Sequence, residues 1–155
     1  MKSRVVTLVV GFLFGVATAV AVSVGASPQS GRKAVYAGAK PLGPYTPGID
    51  VGNLVFLSGQ IGIDPATGKM VEGGTAEQAR QALENLGRIL KEAGLGYENV
   101  VKTTIFLADI HDYRAVNEVY GSFFPEDSPP PARSTIQVAA IPAGARVEID
   151  FIAAR

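Results

Sequence analysis

The sequence predicts an α+β domain in which one β-sheet carries two helices on one of its faces. Three observations predict this class. The elements follow one another as strands, helix, strand, helix and two further strands. Apolar residues recur every three or four positions over residues 76–93, which is typical of an amphipathic helix. Apolar and polar residues alternate over residues 133–138 and 146–151, which is typical of half-buried strands.

The N-terminal segment differs from the rest of the chain. Lys2 and Arg4 precede an apolar run over residues 5–26, which ends in Val24-Gly25-Ala26 before Ser27. A basic start, an apolar stretch and small residues at its end are typical of a secretory signal peptide. At about 22 residues the run is also long enough to remain as a membrane anchor. A buried core helix is a third interpretation. The first two predict an exported domain, periplasmic or secreted, or else anchored outside the cytoplasm through residues 5–26 alone.

Charge and composition restrict the possible functions. The 155 residues include 14 Lys and Arg, 14 Asp and Glu, no cysteine and one histidine, His111. We therefore expect one domain without disulfides, thiolate metal sites or a cysteine nucleophile. Without Lys2 and Arg4 of the leader, 12 basic residues face 14 acidic ones, a net charge of −2. This balance disfavours nucleic-acid binding, and His111 with Asp109 and Asp112 is too small a set to predict a metal site.

Short strands and turns precede the first helix. We assign residues 1–26 to the signal or anchor, residues 27–40 to a linker and first strand, and residues 41–155 to the domain. Three prolines and two glycines between residues 41 and 48 predict a structured loop. An apolar run over residues 54–57 predicts a buried strand that ends at Ser58-Gly59-Gln60. Residues 64–68 have the composition of a turn.

The first helix is the clearest element. Thr75 and Gln78 have the spacing of a capping box at the start of a helix over residues 76–93. Gly94 then supplies the left-handed residue that commonly ends a helix. One apolar stripe along this helix is formed by Ala79, Ala82, Leu83, Leu86, Ile89, Leu90 and Ala93.

A second helix and three further strands complete the domain. Residues 100–107 are rich in β-branched side chains and predict a strand. Asp112 is placed to cap a helix that reaches about Phe123, before a proline-rich segment. The last two strands, residues 133–138 and 146–151, are predicted to be joined by a short turn. Burial against partner subunits would cover the face of the sheet that the helices leave open.

Arg133 is the strongest candidate for a functional side chain. Three prolines precede it at the start of a strand, and its planar guanidinium suits a carboxylate. Glu148, on the following strand, is either an ion-pair partner of Arg133 or a general base that polarises water. Ser58 and Gly59 offer a hydroxyl and accessible N–H groups, and Tyr45 is placed to cover a pocket. Each of these residues also has an ordinary structural interpretation as part of a strand, a junction or the surface.

Several motifs occur together in one order along the chain. They are Gly43-Pro44-Tyr45, Gly52-Asn53, Leu57-Ser58-Gly59-Gln60, Gln78-Ala79-Arg80-Gln81-Ala82-Leu83, Val101-Lys102-Thr103-Thr104, Asn117, Pro131-Ala132-Arg133-Ser134-Thr135 and Val147-Glu148-Ile149. With them the chain resembles the RidA family of reactive-intermediate deaminases, also called the YjgF/YER057c/UK114 family. The resemblance extends over about residues 43–153, and a set of ordered motifs is more specific than any one of them.

The resemblance implies a fold, an assembly and a reaction. The fold is a chorismate-mutase-like α+β fold, and the assembly is a homotrimer with sites in the clefts between subunits. The reaction is the hydrolysis of 2-imino acids, such as 2-iminobutanoate and 2-iminopropanoate, to 2-oxo acids and ammonia. The implied partners are a small imino or oxo acid and further copies of the chain, without nucleic acid. No metal and no organic cofactor is implied.

The resemblance also implies roles for individual residues. Arg133 would bind the substrate carboxylate in a bidentate pair, and Glu148 would orient or deprotonate the attacking water. Backbone groups around Ser134 and Thr135 would help to place that water. Thr135 departs from the cysteine that many members carry, although it keeps a hydroxyl. The remaining residues of the substrate pocket would be Tyr45, Ser58, Gly59 and Asn117.

Two other functions stay open at this point. Imines hydrolyse spontaneously in water and would rarely survive export, so an exported copy has no obvious source of substrate. The alternative is therefore a non-catalytic exported trimer that binds small carboxylates or protein partners. RNA cleavage, reported for some relatives of the family, is disfavoured by the net charge of −2 and by the lack of a basic stripe.

Overall fold

The computed structural model of the protein describes residues 31–38, 41, 43–125 and 127–155. The predicted signal or anchor over residues 1–26 lies outside this part of the chain, as does much of the predicted linker. In chain order, the strands and helices of the described residues are β1 Lys33–Val35, β2 Gly48–Asp50, β3 Leu54–Ile61, β4 Ile63–Asp64, β5 Lys69–Met70, α1 Thr75–Glu92, β6 Val100–Leu107, α2 Tyr113–Gly121, β7 Ala132–Gln137 and β8 Val147–Ala154.

Six of these strands form one mixed sheet in the order β1-β2-β3-β8-β6-β7. β6 and β7 run parallel, and every other neighbouring pair in this sheet is antiparallel. β4 and β5 form a separate two-stranded ribbon around the predicted turn, where Gly68 adopts a φ of 70°. The predicted strand at residues 54–57 continues to Ile61. The predicted α+β class, with two helices on one sheet, is confirmed.

The predicted short turn between the last two strands is wrong. β6 lies between β7 and β8, and residues 138–146 connect them past the end of β6. There, the Val138 N–H donates to the carbonyl of Leu107, and the Ala108 N–H donates to the carbonyl of Arg146, both at 2.9 Å. β7 runs parallel to β6, so both strands end on the same side of the sheet. The chain then passes over the end of β6 and returns as β8, which pairs antiparallel with the other edge of β6.

α1 and α2 cover one face of the sheet and enclose the main core. Alternate side chains of β3, β6 and β8 point towards the helices, as the two-residue period of a strand requires. The predicted stripe of α1 is confirmed, and Leu83, Leu86 and Leu90 are completely buried. Burial of each such leucine contributes about 1.5–3 kcal/mol to folding. The strand side of this core includes Val55, Leu57, Ile105, Leu107, Val147, Ile149, Phe151 and Ala153.

The predicted capping pair of α1 is wrong, although the position of the helix is right. Glu77 Oε2 accepts a hydrogen bond from the Gly74 N–H at 2.9 Å and so satisfies a free donor of the first turn. Gln78 Oε1 instead accepts from the Arg146 N–H at 2.8 Å, and Thr75 Oγ1 accepts from Arg146 Nε at 2.7 Å. Tertiary contacts with the start of β8 therefore occupy both side chains of the predicted box.

Asp112 precedes α2 as predicted, but its side chain does not cap that helix. Its Oδ2 accepts hydrogen bonds from Thr75 Oγ1 and from Arg146 Nη2, the latter at 3.0 Å. These contacts join the first turns of both helices to the residue before β8. α2 ends at Gly121, two residues before the predicted end. The predicted end of α1 is confirmed, because Gly94 follows the helix with a φ of 72°.

The other face of the sheet is only partly covered. Ile61, Ile141 and Ala145 form a second, smaller cluster there. Beyond it, the side chains of Phe56 and Ile136 are 43% and 46% exposed. A large apolar side chain this exposed in the middle of a strand suits contact with another protein surface. Burial of this face against partner subunits stays a prediction.

Candidate active site

A pocket on the partly covered face of the sheet contains the predicted base, Glu148. Its neighbours in β8, Val147 and Ile149, are completely buried under the helices, so Glu148 points to the opposite face. The pocket has a volume of about 360 Å³ and is lined by Gly43, Tyr45, Ser58, Gly59, Ile61, Pro142 and Glu148. The fold thus brings four predicted site residues together from three segments that are far apart in the sequence.

Gly59 packs directly against the Glu148 carboxylate. The register of β3 against β8 shifts between Leu57 and Gln60, and this bulge carries Gly59 over the start of β8. A Cβ atom at position 59 would lie 1.9 Å from Glu148 Oε1 and 2.7 Å from its Cδ. Since Gly59 is not among the glycines with positive φ, the close approach, and not the backbone conformation, requires a glycine here.

Ser58 holds the loop that carries Tyr45. Its Oγ donates a hydrogen bond to the Thr46 carbonyl at 2.7 Å, and its N–H donates to the Pro47 carbonyl at 2.9 Å. Tyr45 itself is 44% exposed at the pocket. The Ser58 hydroxyl therefore has a structural task, and its contact with a substrate stays a prediction, as does that of Tyr45.

The surroundings of Glu148 favour the protonated form of its carboxyl group. Burial raises the pKa of Glu148 above its usual value of 4.5, and the negative charge of Asp150 raises it further. Asp150 lies two residues along β8 and hence on the same face. No described residue donates a hydrogen bond to the Glu148 carboxylate or pairs with it. Such a carboxylate is a stronger base than an exposed glutamate.

Arg133 belongs to a second group of side chains, next to α2. Its Nη2 donates a hydrogen bond to the hydroxyl oxygen of Tyr113 at 3.2 Å. Its guanidinium carbon lies 4.7 Å from the centre of the Tyr120 ring, within the range of a cation–π contact. Asn117 lies one helical turn after Tyr113, and a hydrogen bond from Asn117 lowers the pKa of Tyr113, as does the charge of Arg133. Sequence reasoning missed Tyr113, although its spacing from Asn117 places both on one side of α2.

Within one chain, Arg133 and Glu148 point to opposite faces of the sheet. β6 lies between their strands, where Arg133 pairs with Thr103 and Glu148 pairs with Phe106. Thr103 is completely buried on the helix side and shares a hydrogen bond with Tyr120, 3.0 Å long. Phe106 lies three residues further along β6 and so points the other way. In one chain, Arg133 therefore does not line the pocket that contains Glu148.

Ser134 and Thr135 also point to different faces. Ser134 Oγ accepts a hydrogen bond from Lys102 Nζ at 3.0 Å on the side away from the helices. Thr135 lies on the same side as Arg133, and its buried Oγ1 has no hydrogen-bond partner among the described residues. The roles of Ser134 and Thr135 in placing the attacking water stay predictions.

The described residues contain no group of three or more His, Asp or Glu side chains that could hold a metal ion. Asp109, His111 and Asp112 are close in the sequence but do not form one cluster. Asp109 Oδ1 contacts His111 Nδ1 at 2.7 Å on the surface, whereas Asp112 contacts Arg146 at 3.0 Å.

Comparisons with known proteins agree with the family that the motifs indicate. A sequence profile described as Endoribonuclease L-PSP matches residues 37–155. The human 2-iminobutanoate/2-iminopropanoate deaminase is 51% identical over 112 residues, which are 72% of this chain and 80% of that protein. The chloroplastic Reactive Intermediate Deaminase A of Arabidopsis thaliana is 54% identical and is covered over 59% of its length, again with 72% of this chain. The crystal structure of the YjgF gene product from E. coli superimposes with a TM-score of 0.74 at 42% identity, over 79% of this chain and 98% of that one.

The predicted export of the domain is wrong. The Arabidopsis relative is chloroplastic by name, which places a close relative in an organelle within the cell. Among residues 31–38, 41, 43–125 and 127–155, no helix has the length and apolar character needed to cross a membrane. The apolar run that suggested export, residues 5–26, lies outside the described residues.

Proposed function

This chain belongs to the Endoribonuclease L-PSP family, and from that premise we propose that it hydrolyses reactive 2-imino acids to 2-oxo acids and ammonia. Relatives that are 51% identical bear the name 2-iminobutanoate/2-iminopropanoate deaminase, which supports the predicted imine deamination. One structural observation carries the proposal. Glu148, with its raised pKa and no ion-pair partner among the described residues, lines a pocket that is large enough for a small imino acid.

The proposed reaction needs one anion-binding group and one base. Arg133 binds the substrate carboxylate through two parallel hydrogen bonds. Glu148 takes a proton from a water molecule while the oxygen of that water attacks the imine carbon. Glu148 returns this proton to the nitrogen of the tetrahedral intermediate. It then transfers the remaining hydroxyl proton to the same nitrogen while the carbon–nitrogen bond breaks and the C=O bond forms, which releases ammonia and leaves the 2-oxo acid. Because the imine carbon is already electrophilic, positioning and a single base are sufficient help.

The proposed site requires at least two subunits. Arg133 and Glu148 point to opposite faces of the sheet in one chain, and the face that contains Glu148 exposes Phe56 and Ile136. A cyclic arrangement joins one surface of each subunit to a different surface of the next one. The resemblance to the RidA family implies three subunits, so we propose a homotrimer in which Arg133 of one subunit and Glu148 of its neighbour share each substrate.

Mixing two inactive variants tests the reaction and the shared site together. Arg133→Ala and Glu148→Ala each remove one half of the site, so each variant alone should lose most of its activity on 2-iminopropanoate. Co-expressed subunits should regain about a quarter of the wild-type activity, because half of the arginine positions and half of the glutamate positions are intact in a random mixture.

Three outcomes would count against the proposal. Wild-type turnover that Arg133→Ala leaves unchanged would remove the proposed role of Arg133. Two inactive variants that do not complement each other would place the site within one subunit, contrary to the topology of the sheet. Binding of 2-oxo acids without turnover of any imine would support the alternative, a non-catalytic trimer that binds small carboxylates.

RNA cleavage is the second candidate, because the family description names an endoribonuclease. The chain has 14 basic and 14 acidic residues and therefore lacks the basic excess that phosphate binding needs. Among the described residues that line the pocket around Glu148, none is Lys, Arg or His. RNA cleavage by wild type that persists in Glu148→Ala would point to a separate site, whereas cleavage lost together with imine hydrolysis would point to the same one.

A further inference from the structure

Arg133 is held from two sides, although it lies on an edge strand. β7 is the last strand of the sheet, so one flank of its side chains has no neighbouring strand. A long side chain in such a place loses considerable rotamer freedom when it binds a ligand. Here the Tyr120 ring lies 4.7 Å from the guanidinium carbon, and the Tyr113 hydroxyl oxygen lies 3.2 Å from Nη2.

The two tyrosines differ in how they are fixed. Tyr120 is buried, and its hydroxyl shares a hydrogen bond with the completely buried Thr103. Tyr113 is 42% exposed, so the core does not hold it. Instead, Asn117 lies on the same side of α2, one turn along. A hydrogen bond from Asn117 and the charge of Arg133 both lower the pKa of Tyr113. The hydroxyl oxygen of Tyr113 accepts the hydrogen bond from Arg133 Nη2.

We propose that Tyr113 is a positioning residue that fixes the guanidinium of Arg133 in the orientation that binds the substrate carboxylate. This inference rests on the proposed function, since it assigns Arg133 to the carboxylate. The Tyr120 ring sets the plane of the guanidinium by stacking, and the Tyr113 oxygen sets the rotation within that plane. A bidentate pair needs both to be set before the ligand arrives.

Tyr113→Phe removes the hydroxyl oxygen and keeps the ring. Loss of a hydrogen bond to a charged group should raise both KM for 2-iminopropanoate and Kd for 2-oxobutanoate about tenfold. kcat should stay within about twofold, because a positioning residue for carboxylate binding acts on the ground state and the transition state alike. Tyr36→Phe is the matched control, since Tyr36 is 56% exposed and lies outside both groups of site residues, and it should leave KM and Kd unchanged.

A double substitution shows whether Tyr113 acts through Arg133. Arg133→Lys retains the charge but loses the planar fork, so adding Tyr113→Phe to it should change Kd by less than about twofold. A full tenfold effect in that background would overturn the inference, as would an unchanged Kd in Tyr113→Phe alone or a fall in kcat at constant KM.

The binding measurement separates this inference from the proposed function. If wild type hydrolyses the imine and Tyr113→Phe matches it in KM and Kd, the inference fails and the proposed function stands. If wild type binds 2-oxobutanoate without hydrolysing imines, the proposed reaction fails, while the comparison of Kd values still decides the role of Tyr113. If wild type does not bind 2-oxobutanoate, both are wrong.

Discussion

Replacement of Gly59 by alanine should move the Glu148 carboxylate while leaving the fold in place. The new Cβ would lie 1.9 Å from Oε1, 2.7 Å from Cδ and 2.9 Å from Cγ of Glu148. Gly59 has no positive φ, so the backbone accepts alanine without strain. The end of a glutamate side chain moves at a lower cost than a strand in the middle of a sheet. We therefore expect a folded variant with a displaced base.

The size of the effect follows from the distances. Ordinary contact begins at 3.4 Å, so Oε1, now 1.9 Å from the Cβ position, has to move by about 1.5 Å. A misplacement of about 1 Å in a catalytic group costs about 100-fold in rate, which corresponds to about 2.7 kcal/mol of transition-state stabilisation. kcat/KM should therefore fall about 100-fold, while the free energy of unfolding should fall by only about 1 kcal/mol, the low end for overpacking.

The assay generates 2-iminopropanoate in place with an amino-acid oxidase and follows its loss. Gly121→Ala is the matched control, because a Cβ at Gly121 has nothing within 4 Å. If Gly59→Ala acts through Glu148, it should add nothing to the loss in Glu148→Ala. Wild-type activity in Gly59→Ala would refute the assignment of Glu148 as the base. So would a double variant in which the fold-loss of kcat/KM equals the product of the losses in the two single variants.

Three further predictions concern pH and stability. The negative charge of Asp150 helps to raise the pKa of Glu148, so Asp150→Asn should move the acidic limb of the pH–rate profile to lower pH. An unmoved limb would contradict a base at Glu148. Leu86→Ala, at a completely buried position, should lower the free energy of unfolding by about 2–5 kcal/mol in a denaturant titration. The hydrogen bond from Thr75 lowers the folded-state pKa of Asp112 below its usual 3.8. The stability that Asp112 contributes is thus present above pH 3.8 and lost as pH falls through the lowered value; Asp112→Asn should flatten this acid dependence, and an equally steep loss in the variant would speak against it.

Local patterns account for the elements that were predicted correctly. The stripe of α1 and the glycine that ends it depend only on the helical period and on the backbone freedom of Gly94, both of which are properties of neighbouring residues. The capping pair failed for the opposite reason. Thr75 and Gln78 have the right spacing, but Arg146, 71 residues after Thr75, donates hydrogen bonds to both side chains. Glu77 then accepts the free N–H group at the start of the helix.

The candidate site likewise has a part that the sequence indicated and a part that it did not. Tyr45, Ser58, Gly59 and Glu148 were identified by motif, and a bulge between Leu57 and Gln60 brings them to one pocket. A bulge adds one residue to one strand, and alternation of polar and apolar residues does not reveal it. Tyr113 escaped notice because an exposed tyrosine on a helix has no pattern of its own. Its significance comes only from the Arg133 side chain that lies 3.2 Å away.

Alternation along the sequence indicates which side chains of a regular strand such as β7 or β8 share a face, since the period of two is a property of the extended backbone. The faces of different strands that coincide depend on strand order and register, which are fixed when the sheet assembles. Insertion of β6 between β7 and β8, with Thr103 beside Arg133 and Phe106 beside Glu148, turned the two groups to opposite sides. A pattern along one strand contains no information about the register of its neighbour, so the opposite orientation of Arg133 and Glu148 could be recognised only in the folded sheet.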